Sequence, residues 1–170
     1  MRMPYGSAAE SFGQASMGYV ATEESVTQTL AFLLGKLGQV ASGRFAARLA
    51  PLGLRPRHCA LLELLAHAPK AQLELAHAIG VTPSVVVDML DELEQAEAVR
   101  RVRDSTDRRR QLIELTTKGR RLRRRAVALA RETDEEMLAG FDTAQAAALR
   151  TGLLRIADSA GLFGSVTRPS

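Results

Sequence analysis

Residues 99–115 read VRRVRDSTDRRRQLIEL, and this stretch decides the fold. Two short runs with strand-type residues flank a polar turn, Asp104-Ser105-Thr106-Asp107. Arg100, Arg101 and Arg103 precede the turn; Arg108, Arg109 and Arg110 follow it. A β-hairpin this basic has little place in a core. It has the character of a surface ribbon built to meet phosphate.

The charge around the hairpin is uneven. From Arg100 to Arg125 there are twelve Lys or Arg against three acids, a local net of +9; the whole chain carries +4, so the remainder carries −5. One basic face on an otherwise acidic chain suits a polyanionic partner, although a solvated Arg-rich face would give the same count.

Immediately before the hairpin, Gly80-Val81-Thr82-Pro83-Ser84 marks a turn and a helix start, with Thr82 as N-cap and Pro83 at the first helical position. The helix PSVVVDMLDELEQAEA places Val86, Met89, Leu90 and Leu93 on one face and Ser84, Asp88, Asp91 and Gln95 on the opposite one. A short helix from about Ala71 to Ala78, with Gly80 as its C-terminal cap, comes before it. Before that, a helix begins near Arg55-Pro56 and stops ahead of Pro69. Two helices joined by a Gly-containing turn, the second with a polar outer face, make a helix-turn-helix, and the hairpin makes it a winged one.

Long helices flank this unit. From Thr22 to about Leu49, Val26, Leu30, Leu33, Leu37, Ala41, Phe45 and Leu49 fall at three- and four-residue steps. That helix of roughly 28 residues is longer than one small core needs, so part of its stripe is expected to meet another subunit. Thr116 or Thr117 opens a fifth helix to about Ala139, rich in arginine at its start, and a sixth runs from about Ala144 to Ala160. Cations at a helix start oppose the dipole, so they answer to something external or to acids on neighbouring helices. Residues 1–21 read as a loose arm and 161–170 as a frayed tail, leaving 22–160 as a single domain. Within it, the DNA-binding lobe spans about 55–115, and the helices at about 22–50 and 117–160 serve dimerisation. With 4% aromatics and no Trp, the core must be Leu, Val and Ala. The single cysteine, Cys59, fits a reducing compartment, and no apolar run approaches a membrane span, so a cytoplasmic protein is expected.

These residues resemble the multiple antibiotic resistance regulator (MarR) family of winged-helix transcription factors. The order of elements, the segment GVTPSVVVDMLDELEQAEAVRR and the wing DSTDRRRQLIELTTKG carry the likeness, which covers roughly Thr22 to Ala160. The resemblance implies a mainly α fold: a three-helix HTH with a β-hairpin wing and long dimerisation helices at both ends. It implies a homodimer on a pseudo-palindromic DNA site, acting as a repressor relieved by a small aromatic or phenolic effector. Three departures stand out. The wing's first family arginine falls on Thr106 and the second on Arg109. The middle of the recognition helix, usually Thr and Arg, carries Val85, Val87 and Asp88. The glycine that usually ends that helix is Glu97.

The recognition helix holds five acids between Thr82 and Ala98 and no Lys or Arg, so it should be repelled by phosphate while still reading bases. Thr82 opens it. Ser84 suits either base type, Val85 or Val87 a thymine methyl, and Asp88 cytosine N4, unless Asp88 is solvated or paired with Arg57. Affinity should come from Arg100, Arg103, Arg108 and Arg110, with Arg108 standing in for the contact missing at Thr106. Arg109 either contacts DNA or pairs with Asp104 or Asp107 to hold the wing; Arg101 serves the fold; Gln72 reaches a backbone phosphate. His58 is a candidate for lining an effector pocket, since relatives bind aromatic acids between the first helix and the HTH. Cys59 reads as a buried, inert thiol. His58, His67 and His77 lack the three- or four-residue step of a helical metal pair, so neither metal nor cofactor is expected. No nucleophile elbow or phosphate-binding glycine loop points to an enzyme. An architectural DNA-coating protein would explain the charge but not the long amphipathic ends.

Overall fold

A computed structural model describes residues 25–104, 107 and 109–162. The expected arm, the helix start at Thr22, the tail beyond Leu162 and the wing positions Ser105, Thr106 and Arg108 lie outside the described residues. Six α-helices run α1 (Leu30–Leu49), α2 (Pro56–His67), α3 (Gln72–Ile79), α4 (Pro83–Gln95), α5 (Thr117–Met137) and α6 (Thr143–Ser159). Between α4 and α5 lie β1 (Val99–Arg103) and β2 (Gln111–Leu115). The chain divides into two compact units, residues 1–36 and 37–170, with the boundary inside α1.

In the first unit, Ser25 Oγ accepts the Thr27 N–H and caps a single 3-10 turn, Val26–Gln28, and α1 starts only at Leu30. The helix expected from Thr22 is therefore interrupted among residues 25–29. Thr29 is extended and its hydroxyl turns back to the Val26 carbonyl, 2.8 Å away, which breaks the helical path. Val26, Leu30, Leu33 and Leu34 are exposed here.

In the second unit the core gathers where α2, α3, α4, the hairpin and α5 meet. Leu49, Leu61, Leu62, Leu75, Val86, Met89, Leu90 and Leu93 are among its most completely buried hydrophobic side chains, and none is aromatic. The α4 stripe read from the sequence (Val86, Met89, Leu90, Leu93) is the buried one. Gly80 ends α3 with φ +69°, and the Val81 N–H reaches back to the Ala76 carbonyl at 3.1 Å. This left-handed close is what a glycine allows cheaply.

Helix α4 ends at Gln95, three residues before the expected end, in the same kind of closure. Glu97 sits at φ +55° and Ala98 N–H bonds to the Leu93 carbonyl at 2.8 Å. A side chain in the left-handed region costs about 1–2 kcal/mol in general, the cost a glycine at this helix end would avoid. Thr116 fastens the junction: its Oγ1 accepts the Gly119 N–H at 3.0 Å as N-cap of α5 and lies 2.6 Å from the Glu97 carbonyl, to which it donates. Gly119 is required by contact rather than by φ. A Cβ there would lie 1.9 Å from the Ala98 carbonyl oxygen.

The hairpin is antiparallel, pairing Val99 with Leu115 and Arg103 with Gln111. Val99, Ile113 and Leu115 face the core. One pairing was not foreseen. Lys70, just before α3, exchanges backbone hydrogen bonds with Ile113 at 3.1 and 2.8 Å, so the wing is stitched to the entry of the HTH.

Asp142 caps α6 by accepting the Gln145 N–H at 2.8 Å. No residue of α6 is buried; Leu149, Leu153, Leu154 and Ile156 are exposed on it. Leu37 and Val40 of α1 are also bare. No single helix is long and apolar enough to cross a membrane among the described residues.

Candidate nucleic-acid interface

Helices α3 and α4 meet at 110° across Gly80-Val81-Thr82, the angle of a helix-turn-helix. On α4, Ser84, Val85 and Asp88 are exposed and Val87 is half-buried. Thr82 is the N-cap residue by backbone, but its hydroxyl does not cap. It lies 3.1 Å from Ser84 Oγ instead, because both side chains sit on the outer side of the turn. The first-turn N–H groups of α4 are thereby left without a side-chain cap, the arrangement that favours an approaching anion. Gln72 stands at the first position of α3, half-buried, its side chain making no hydrogen bond to another described residue.

The acids of α4 are less free than their number suggests. Glu92 accepts from Arg57 at 2.5 Å and Arg55 at 3.2 Å, both at the start of α2. Asp91 and Glu94 share Arg101 of the wing, at 2.6 and 3.6 Å. Glu97 holds Lys118 at 2.7 Å. Asp88 alone of the five has no ion-pair partner among the described residues, and the pairing with Arg57 that the sequence left open is excluded because Arg57 belongs to Glu92. These pairs are mostly exposed, so each adds little stability. Their larger effect is to neutralise the helix.

The wing arginines divide likewise. Arg100 pairs with its cross-strand neighbour Glu114. Arg110 reaches Glu74 of α3 at 3.0 Å and approaches Asp104 at 3.9 Å. Both are candidates for DNA contact, and in the structure both also brace the wing, since carboxylates from β2 and α3 come within reach once the chain folds. Arg109 was expected either to contact DNA or to hold the wing by pairing with Asp104 or Asp107. Only its backbone N–H holds the wing, donating to Asp107 Oδ1 at 3.0 Å. Its side chain and that of Arg103 are exposed and without ion-pair partners among the described residues. On α5, Arg123 pairs with Glu63 and Arg125 with Glu132, while Arg121 and Arg124 stay exposed and unpaired among the described residues.

His58 is buried and is not among the residues that line the cavity beside Cys59. It is 1% exposed, with Nδ1 accepting the Arg55 N–H at 3.2 Å and Nε2 lying 2.8 Å from Glu92 Oε2, off the line of a good hydrogen bond. Burial holds its pKa below the ordinary 6.5 despite the pull of Glu92, and the neighbouring Arg57 and Arg55 push the same way as burial. The Arg57 hydrogen bond keeps Glu92 below the usual carboxylate range. His58 is thus a neutral ring wedged between α2 and α4.

Its neighbour Cys59 does line a cavity, of about 170 Å³, with Phe45, Leu62, Ala126, Val127 and the Glu63–Arg123 pair. Cys59 is half-buried rather than fully buried as expected, and burial, with Glu63 adding to it, pushes its thiol up to about 11, which disfavours the reactive thiolate. Among the described residues no group of three metal-ligating side chains is present.

Comparison with known proteins agrees with this geometry. The MarR family model matches residues 55–110, the α2-to-wing lobe. The chain is 35% identical over 117 residues to the HTH-type transcriptional repressor Rv2887 of Mycobacterium tuberculosis, covering 68% of this chain and 84% of the relative. The solved structure of Rv2887 with DNA has a TM-score of 0.65 at 31% identity, covering 75% of this chain and 97% of that one. CouR from Rhodococcus jostii RHA1, bound to p-coumaroyl-CoA, has a TM-score of 0.67 at 29% identity, covering 87% of this chain and 100% of that one. Rv2887 is also solved with salicylic acid, and CouR with a 23-mer DNA duplex. By its sequence, its winged helix-turn-helix and these relatives, the chain belongs to the MarR family of transcriptional regulators.

Proposed function

We propose that the protein is a cytoplasmic, sequence-specific DNA-binding repressor that works as a homodimer and releases DNA when a small aromatic acid binds. The observation that carries this reading is the pairing, in one lobe, of an uncapped, outward-facing recognition helix with a wing that keeps Arg103 and Arg109 exposed. Two such lobes on one dimer would place their recognition helices in successive major grooves. Repression would then be steric. The exposed apolar residues on α6 and on α1 supply the surface for a second copy.

The effector site best supported is the cavity beside Cys59. At about 170 Å³ it matches one aromatic ring in size, since an engineered cavity of about 150 Å³ holds benzene. Arg123 at its edge offers a cation to a carboxylate that displaces Glu63. The relatives' structures with salicylic acid and p-coumaroyl-CoA support an aromatic acid or its derivative. Because α2 lines this cavity and Arg55 and Arg57 of α2 hold Glu92 of α4, an occupant that shifts α2 would be felt at the recognition helix.

A gel shift on the protein's own upstream DNA tests the function. Retardation at low salt, reversed by millimolar salicylate in wild type but not in Arg123→Ala, is expected. No retardation from a folded dimer overturns the regulator reading. A monomer in size-exclusion chromatography would favour an architectural DNA-binding protein without an effector.

A further inference from the structure

Of the five carboxylates on and just after α4, four are held by arginine or lysine from α2, the wing or α5, and one, Asp88, has no such partner among the described residues. Its position is telling. Asp88 lies one turn beyond Ser84 on the face opposite the buried stripe Val86, Met89, Leu90 and Leu93, within the first two turns of the helix. The N-terminal turns of a recognition helix are those that meet base edges. Arg57, the cation that could have quenched Asp88 from α2, is held by Glu92 at 2.5 Å, and Arg101 on the other flank is held by Asp91 and Glu94.

A bare carboxylate entering the major groove is repelled by the phosphates on both sides and by every acceptor on a base edge. Guanine presents N7 and O6 there, and thymine presents O4. Adenine offers the N6 amine but sets the acceptor N7 beside it. Cytosine alone presents an amine, N4, with no acceptor of its own at that edge. A carboxylate therefore rejects three bases and accepts one, so it acts by discrimination more than by attraction.

We propose that Asp88 is a specificity residue of the recognition helix that accepts a hydrogen bond from cytosine N4, so that each operator half-site carries a C·G pair beneath the second turn of α4. The proposal rests on the DNA-binding reading above and adds the base that the helix selects. It places Asp88 as a discriminator while the free arginines of the wing supply affinity.

The test is selection from a duplex library with a randomised core, using the full chain as wild type, Asp88→Ala and Asp88→Asn, with each variant's fold checked by circular dichroism. Wild type should enrich a C at one symmetric position per half-site. Asp88→Ala should flatten that column by about tenfold and leave the others intact. Asp88→Asn should move the preference from C towards A, because a carboxamide both donates to N7 and accepts from N6. Asp88→Ala should also bind random duplex more tightly at low salt, having lost a like charge. A cytosine column that survives in Asp88→Ala, or a loss spread evenly over all columns, overturns the proposal. Failure of all three proteins to retain any duplex at low salt would overturn the DNA-binding reading itself, which is a different result.

Discussion

The recognition helix and the wing are opposites in sequence and partners in space. Helix α4 and its exit carry five acids and no base, whereas the wing carries six arginines within eleven residues of chain. Taken separately, one should repel DNA and the other should attract it. Folded together, Arg101 of the wing lies between Asp91 and Glu94 of the helix, Arg110 binds Glu74 of α3, and Arg55 and Arg57 hold Glu92. Among the described residues of the two regions, what remains for a partner is Arg103 and Arg109 on the wing and Asp88 on the helix. Charge counted along a chain is not the charge a surface offers, because oppositely charged neighbours consume one another first.

Three changes would break or sharpen that contrast. The largest effect belongs to the junction where helix, wing and α5 meet. Gly119→Ala would drive a Cβ to within 1.9 Å of the Ala98 carbonyl oxygen, a backbone atom that cannot step aside. A loss of about 3 kcal/mol or more in urea unfolding is expected, with DNA binding lost as the wing base shifts; an unchanged midpoint would show that the junction is looser than described.

The second effect is on pH. Folding holds His58 below its ordinary pKa of 6.5, so the unfolded chain takes up the proton first as pH falls. Stability contributed by the neutral ring is present above pH 6.5 and is lost as pH drops below it, in the range where unfolded but not folded protein binds the proton. Glu92, whose pKa is also lowered, adds a further loss as pH falls below its ordinary 4.5. Thermal unfolding from pH 8 to pH 5 should show a declining Tm, and His58→Gln should flatten the part of the decline that sets in below pH 6.5. A decline of the same slope in the variant would remove His58 from the account.

The smallest effect is at the hinge between the two regions. Glu97 carries a side chain at φ +55°, where glycine is free. Glu97→Gly relieves that strain and forfeits only the exposed Lys118 contact, so Tm should rise by about 2 °C. A fall would mean that the ion pair matters more than the backbone.

Much of the framework was legible in the sequence because it depends on local rules. The buried stripe of α4 followed from helical period, Gly80 from its place after α3, Thr116 from its place before α5, and the hairpin from strand residues around a polar turn. The site was legible only in part. Which arginine meets which acid depends on contacts between residues far apart in sequence, such as Arg57 with Glu92 or Arg110 with Glu74, and no spacing rule selects them. The same is true of the Lys70–Ile113 bridge, whose outer strand is a single residue with no pattern to detect. His58 was misplaced because one step along α2 separates a ring facing α4 from a thiol facing the cavity. The departure at Glu97 from the glycine that the resemblance leads one to expect was visible in the sequence, but its positive φ emerges only from the structure.

Among the described residues, mutual neutralisation leaves Arg103 and Arg109 as the wing's unpaired charges. The salt dependence of binding to the upstream DNA tests it most directly, measured for wild type and for Arg103→Ala, Arg109→Ala, Arg100→Ala and Arg110→Ala. Each phosphate contact contributes about 0.9 to the slope of log Kobs against log salt. The slope should fall by about that amount for Arg103→Ala and Arg109→Ala, and by clearly less for Arg100→Ala and Arg110→Ala. Equal falls for all four, or a larger fall for the two braced arginines, would contradict it.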